Sequence, residues 1–145
     1  EGVDPDALVV EPYANPFRTY PLAEDYKKFK ALFEERHVEC YILNTGYFMD
    51  KKVPKEITLG SIEKILEDKA TFKKLGNLST LEYLDVPGFE PDFEDEEYKK
   101  QFVARMKDRV EFIESRKEFK DGYDKLPDEA LEAMQKVLDE VEKNI

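Results

Sequence analysis

Few side chains in this sequence have the types and spacing for chemistry. The single histidine, His37, has no second His and no clustered Cys with which to share a metal. It therefore reads as a structural or surface residue rather than a proton shuttle. Cys40, the only cysteine, falls inside an apolar run and is expected to be a small, buried, inert thiol. The carboxylates Asp92, Glu94, Asp95, Glu96 and Glu97 lack the order and the central glycine of a calcium loop. They read as the solvated start of a helix, where negative charge complements the helix dipole. Lys51, Lys52 and Lys55 form a basic loop that could touch an anion, but exposed lysines are common on so charged a chain. Asn77-Leu78-Ser79 fits a glycosylation acceptor, a tripeptide frequent by chance and discounted here. No G-x-x-x-x-G-K-[ST] loop occurs, so the chain by itself has no phosphate cradle.

The 145 residues amount to about one domain. With 41% hydrophobic residues, 18 aromatics and 39% charged residues, the chain is expected to be globular with a heavily ionised surface. Its 34 acidic against 23 basic residues give a net charge of -11, which repels phosphate backbones and anionic headgroups. Nucleic acid and membranes are poor partners on that basis, and no apolar run approaches the roughly 20 residues of a spanning helix. A lone cysteine and no secretory segment point to the cytoplasm. The opening Glu1-Gly2-Val3, in place of Met, points to a piece of a longer protein.

Several elements are expected to position these residues. Four of the eight prolines lie in residues 1–21, around the apolar run Ala7-Leu8-Val9-Val10, which predicts a short strand and then an extended loop. Leu22, Tyr26, Phe29, Leu32 and Phe33 recur at helical spacing after Pro21 and predict a helix to about residue 36. Residues 38–43 (VECYIL) are β-branched and aromatic and precede the turn signal Asn44-Thr45-Gly46, which predicts a buried strand. Ile57-Thr58-Leu59 reads as a short pairing strand. Gly60-Ser61 is expected to cap a helix that turns Ile62, Ile65 and Leu66 inward and ends near residue 69. Residues 78–86 read as strand or extended chain up to Pro87-Gly88. Tyr98, Phe102, Met106, Val110 and Ile113 mark a helix over about 94–116, and Leu131, Met134, Val137 or Leu138, and Val141 mark a last one after Pro127. The fold class expected is mixed α/β, a few strands with three main helices and a shorter one. Residues 1–116 form the main body, followed by residues 117–125 as a linker and a C-terminal helix packing on it.

An ordered set of residues carries more information than any single motif. Pro16-Phe17, Pro21, Tyr26, His37, Tyr41-Ile42-Leu43-Asn44-Thr45-Gly46-Tyr47, Lys55-Glu56-Ile57-Thr58-Leu59 and the run Leu84-Asp85-Val86-Pro87-Gly88-Phe89 follow one another over about residues 10–115. In that order they resemble the C-terminal part of ATP-type phosphoenolpyruvate carboxykinases. The resemblance implies part of an α/β nucleotide-binding domain in an enzyme that converts oxaloacetate and a nucleoside triphosphate to phosphoenolpyruvate, carbon dioxide and the diphosphate. It implies Mg²⁺ or Mn²⁺ and ATP or GTP for the parent protein. The family's phosphate loop, metal ligands and catalytic lysine lie upstream of the matched portion, so no catalytic residue carries over. The chain would be an outer wall of the nucleotide site, inactive alone, with the rest of the polypeptide as its partner. By the same resemblance, base contacts fall on Glu56 and Ile57 and on Ser61 or Ile62. Glu56 stands where the family has arginine, Tyr47 where it has tryptophan, and Tyr20 where it usually has histidine. A glutamate neither stacks on a base as a guanidinium does nor attracts phosphate. Two other readings remain at this point: a non-catalytic helical interaction module, and a degenerate carboxykinase fold that binds a regulatory ligand.

Overall fold

The computed structural model describes residues 12–144. The strand expected at residues 7–10 lies outside them. The first helix, α1 (Leu22–Arg36), has the expected bounds. Pro21 precedes it with φ −57°, and the Leu22 N–H, which has no partner within the helix, donates to the Tyr123 carbonyl at 3.1 Å. His37 ends the helix in the left-handed region (φ 52°), and the Val38 N–H returns to the Leu32 carbonyl. His37 is thus the residue at which the chain leaves the helix.

The next three expectations are corrected. Residues 38–43 form no strand and are exposed, Cys40 among them. A strand needs a ladder, and among the described residues no backbone group of residues 39–43 has a backbone partner. The first hairpin comes later, as β1 (Tyr47–Phe48) against β2 (Lys51–Lys52), so part of the supposed basic loop is strand. Ile57-Thr58-Leu59 is helix, because α2 (Lys55–Leu66) starts directly after Pro54. Ser61 is therefore inside α2, not its cap, and its hydroxyl donates back to the Ile57 carbonyl at 2.7 Å. The buried side of α2 runs through Ser61 and the half-buried Ile57 and Ile65, while Ile62 and Leu66, expected inward, face solvent.

A second antiparallel hairpin, β3 (Phe72–Lys74) with β4 (Glu82–Leu84), pairs Lys73 with Tyr83. Only three residues of the expected 78–86 segment are strand. Its connecting loop turns at Gly76 (φ +59°), where an added Cβ would meet the Phe93 ring at 3.0 Å. Asp95 caps α3 (Glu96–Ser115) by accepting from the Glu97 and Tyr98 N–H groups, so the acidic run starts a helix as expected. The last helix, α4 (Asp128–Asn144), packs on α3 with Val110 and Leu138 buried, and Lys107 meets Glu142 across the pair at 2.8 Å. The core forms where Val141 of α4 (0% exposed) meets Leu75 and Leu78 of the β3–β4 loop. The architecture is mixed helix and sheet, with four α-helices and two small antiparallel sheets among the described residues.

Residues 117–125, read as a linker, are held in place. They include a tight turn (Phe119–Gly122) with Lys120 and Asp121 in the left-handed region, and the buried Asp124 forms an ion pair with Arg18, whose side chain is also buried. Arg18 donates as well to the Tyr20 carbonyl, and Lys120 reaches the second Asp124 oxygen at 3.4 Å. Burial pushes the Asp124 carboxyl up, but its bonds to Arg18 and Lys120 outweigh burial and hold it below the usual carboxylate range.

A carboxyl lowered on folding stabilises the protein above its unfolded pKa, about 4, and that stability is lost as pH falls through the folded value. Asp124→Asn should therefore cost about 3 kcal/mol at neutral pH, by leaving the Arg18 charge buried and unpaired, and should make the loss of stability below about pH 4 shallower. Urea unfolding at a series of pH values reads both effects. Leu78→Ala, at a 2% exposed core position, should cost about 2–5 kcal/mol in the same assay.

Candidate functional site

A turn built around one asparagine organises the most enclosed hollow near the candidate residues. The Asn44 amide donates to the Tyr47 carbonyl at 2.9 Å, and its Oδ1 accepts from the Gly46 N–H at 3.0 Å. Both ends of the side chain are thus engaged in closing the turn that launches β1, an arrangement typical of asparagine. The Val53 N–H then donates to the Gly46 carbonyl at 2.9 Å, which brings the start of α2 back beside the turn. Behind them lies a pocket of about 140 Å³. Ile42 and Leu43 reach it from the unpaired segment, Phe48 and Val53 from the hairpin, and Ile57, Thr58 and Ser61 from α2. Val86 and Phe89, from the turn after β4, close the far side.

Aromatic contacts set the depth of this pocket. The Phe48 ring lies 6.1 Å from that of Phe89, edge to face, and 5.8 Å from that of Tyr98. Burial, with a smaller contribution from Tyr83, pushes the Tyr98 hydroxyl up to about 12, so it stays protonated across the physiological range. Lys51 crosses the rim: its Nζ donates to the Gly88 carbonyl at 3.0 Å and sits 4.3 Å from the Phe89 ring centroid. Gly88 takes φ +81°, and a Cβ there would meet Lys51 Nζ at 3.1 Å. Glycine thus gives both the turn and the close approach.

Of the four residues singled out for base contact, the pocket brings together Ile57 and Ser61. Glu56 points away with its side chain 71% exposed, 4.0 Å from Lys55 Nζ, and Ile62 lies outside the lining at 36% exposure. The helical start at Lys55 explains the split: Ile57 and Ser61 are four apart and lie on one helix face, whereas Glu56 and Ile62 are each turned about 100° from their neighbour on it. Sequence reasoning missed Phe48, Val53 and Thr58. It noted Val86 and Phe89 without joining them to the hairpin. Their only signal was the Pro87-Gly88 turn between two apolar residues.

No family model, curated protein or solved structure matches the chain. The chemistry available to the site therefore rests on its own geometry. The pocket is an apolar slot with two aromatic rings, a pair of hydroxyl-bearing residues on one wall and Lys51 at the rim, suited to a flat, weakly polar group. Among the described residues no three His, Cys, Asp or Glu side chains converge to hold a metal ion.

Lys51→Met keeps the apolar stem and removes both the donor and the cation. It should speed amide exchange about 5-fold around Gly88 and Phe89, close to 1 kcal/mol of local stability, and leave α3 and α4 unchanged. Hydrogen exchange read by mass spectrometry checks this.

Proposed function

We propose that the chain is the C-terminal portion of a phosphoenolpyruvate-carboxykinase-like enzyme and forms an outer wall of its nucleotide site. One observation carries the reading. Three runs of the resemblance, residues 41–47, 55–59 and 84–89, are separate in sequence and each contributes side chains to the same pocket. An ordered resemblance inherited from one ancestral site is expected to map onto one surface in this way. The pocket's shape also suits the reading, because two rings and aliphatic walls fit a purine face.

In this assignment Ile57, Phe48 and Phe89 border the base, and Lys52 and Lys55 provide positive charge near the start of α2. The phosphate chain, the divalent metal and oxaloacetate belong to upstream residues. Mg²⁺ or Mn²⁺ would there neutralise triphosphate charge, and the present residues add no ligand to it. The whole polypeptide carries out the reaction, and this part supplies base contact and excludes water. The interaction-module reading has less support, since the apolar stripes of α3 and α4 are used against each other. A carboxykinase fold with a regulatory ligand would use the same pocket and differs only in turnover.

The test is phosphoenolpyruvate formation by the full-length parent protein with oxaloacetate, Mg²⁺ or Mn²⁺, and ATP or GTP in separate assays. Turnover is expected with one nucleotide. Ile57→Asp should raise that nucleotide's KM about 10-fold or more with kcat within about twofold, the signature of lost uniform binding. A folded parent that turns over neither nucleotide overturns the enzyme reading.

A further inference from the structure

Arg116, the residue that closes α3, carries a charge with no counterpart. Its guanidinium carbon lies 4.2 Å from the centroid of the Phe112 ring and 4.9 Å from that of Phe119, so two rings border it. Its Nε is buried and has no hydrogen-bond partner. The two Nη groups are not enclosed, and among the described residues no carboxylate pairs with them. Arg18 and Arg105, by contrast, each bind an aspartate. Glu114 and Glu118 are only two positions away, and neither is used. The dipole at the C-terminal end of α3 favours a cation here but gives it no acceptor. A part-buried guanidinium without a partner calls for a ligand to supply one.

A second cation stands on the same ring. Lys120 Nζ lies 5.1 Å from the Phe119 centroid, so the two charges are at most about 10 Å apart. Charges of one sign at this range repel, since the screening length at physiological salt is about 8 Å. The backbone bends to bring them together: Lys120 (φ 50°) and Asp121 (φ 53°) both take the left-handed conformation, which is disfavoured for residues with a Cβ. Strain of this kind concentrates at binding sites. The carboxylate nearest Lys120, Asp124 at 3.4 Å, is shared with Arg18.

We propose that Arg116 and Lys120, arranged around Phe119, bind a phosphate-type dianion, either the free ion or a monoester. The Nη groups offer a fork that pairs two phosphate oxygens, and the ammonium meets a third as a point charge. A carboxylate carries one charge and fills the fork alone, which leaves Lys120 unused. Phe119, 45% exposed, borders the organic part of a monoester. The net charge of -11 opposes any anion, so affinity is modest and rests on these local groups. The site shares no residue with the pocket behind Asn44 and does not depend on the function of that pocket.

The test is a titration of the unsubstituted chain with inorganic phosphate and, separately, with glycerol 3-phosphate, against sodium chloride at the same ionic strength. ¹⁵N–¹H correlation spectra follow the Arg116 Nε–H and the amides of residues 117–122. These signals should shift and saturate, with half-saturation at or below about 10 mM, while chloride leaves them in place. Glycerol 3-phosphate binding tighter by about 3-fold or more assigns a monoester as the ligand, and equal or tighter binding of phosphate assigns the free ion. Lys120→Met should weaken binding about 5-fold. Arg116→Lys keeps the charge but loses the fork and the ring contact, and should weaken it about 10-fold or more, with the α4 amides unmoved in both variants. Shifts that rise without saturating, that chloride reproduces, or that survive Arg116→Lys unweakened overturn the proposal.

Discussion

The contact between Val141 of α4 and the Leu75–Leu78 turn is the one on which the other packing depends. A chain with 39% charged residues has limited apolar material to bury, and only three large side chains among the described residues are almost wholly enclosed: Leu22, Leu78 and Val141. Two of those three meet at this point. The β3–β4 hairpin is too short to be stable alone, and a helix pair without a third layer leaves one apolar side wet. Placing the hairpin loop under α4 solves both problems. It also brings Phe93, Tyr98 and Phe102 into an aromatic cluster on which Phe48 and the pocket rest.

Charge acts differently in different parts of the molecule. Most ion pairs are exposed, such as Lys30 with Glu129 between α1 and α4 or Lys99 with Glu96, and pairs of this kind contribute little in water. Arg18 and Asp124 are enclosed, and for them the loss of either partner matters more than the worth of the pair. The same contrast separates the site lysines. Lys51 is held by a carbonyl and a ring, whereas Lys55 stands in solvent.

The long helices were legible because their information is local. Tyr98, Phe102, Met106 and Val110 repeat at helical spacing within a helix of 20 residues, and Asp95 marks the start, so α3 needed no tertiary context. Short elements failed for the opposite reason. VECYIL has every local property of a strand, but pairing is supplied by another segment, and composition does not say which. Residues 57–59 are mostly β-branched or apolar, yet the helix starts two residues earlier at Lys55, with the Pro54 carbonyl accepting from the Ile57 and Thr58 N–H groups. The pocket was half legible. Ile57 and Ser61 are four apart and share a helix face, but the expectation rested on a hairpin there and so grouped them with Glu56. That Phe48 and Phe89 face each other depends on long-range packing that no local pattern encodes.

Arg18 and Asp124 are 106 positions apart, and their bond joins the proline-rich segment before α1 to the turn before α4. Closing so long a loop costs entropy that is recovered only after the helices between are in place. A bond of this span, once formed, acts as a latch on both segments. Its strength shows in how long the native state survives rather than in how fast it forms. Losing either Arg18 or Asp124 frees both the segment before α1 and the turn before α4.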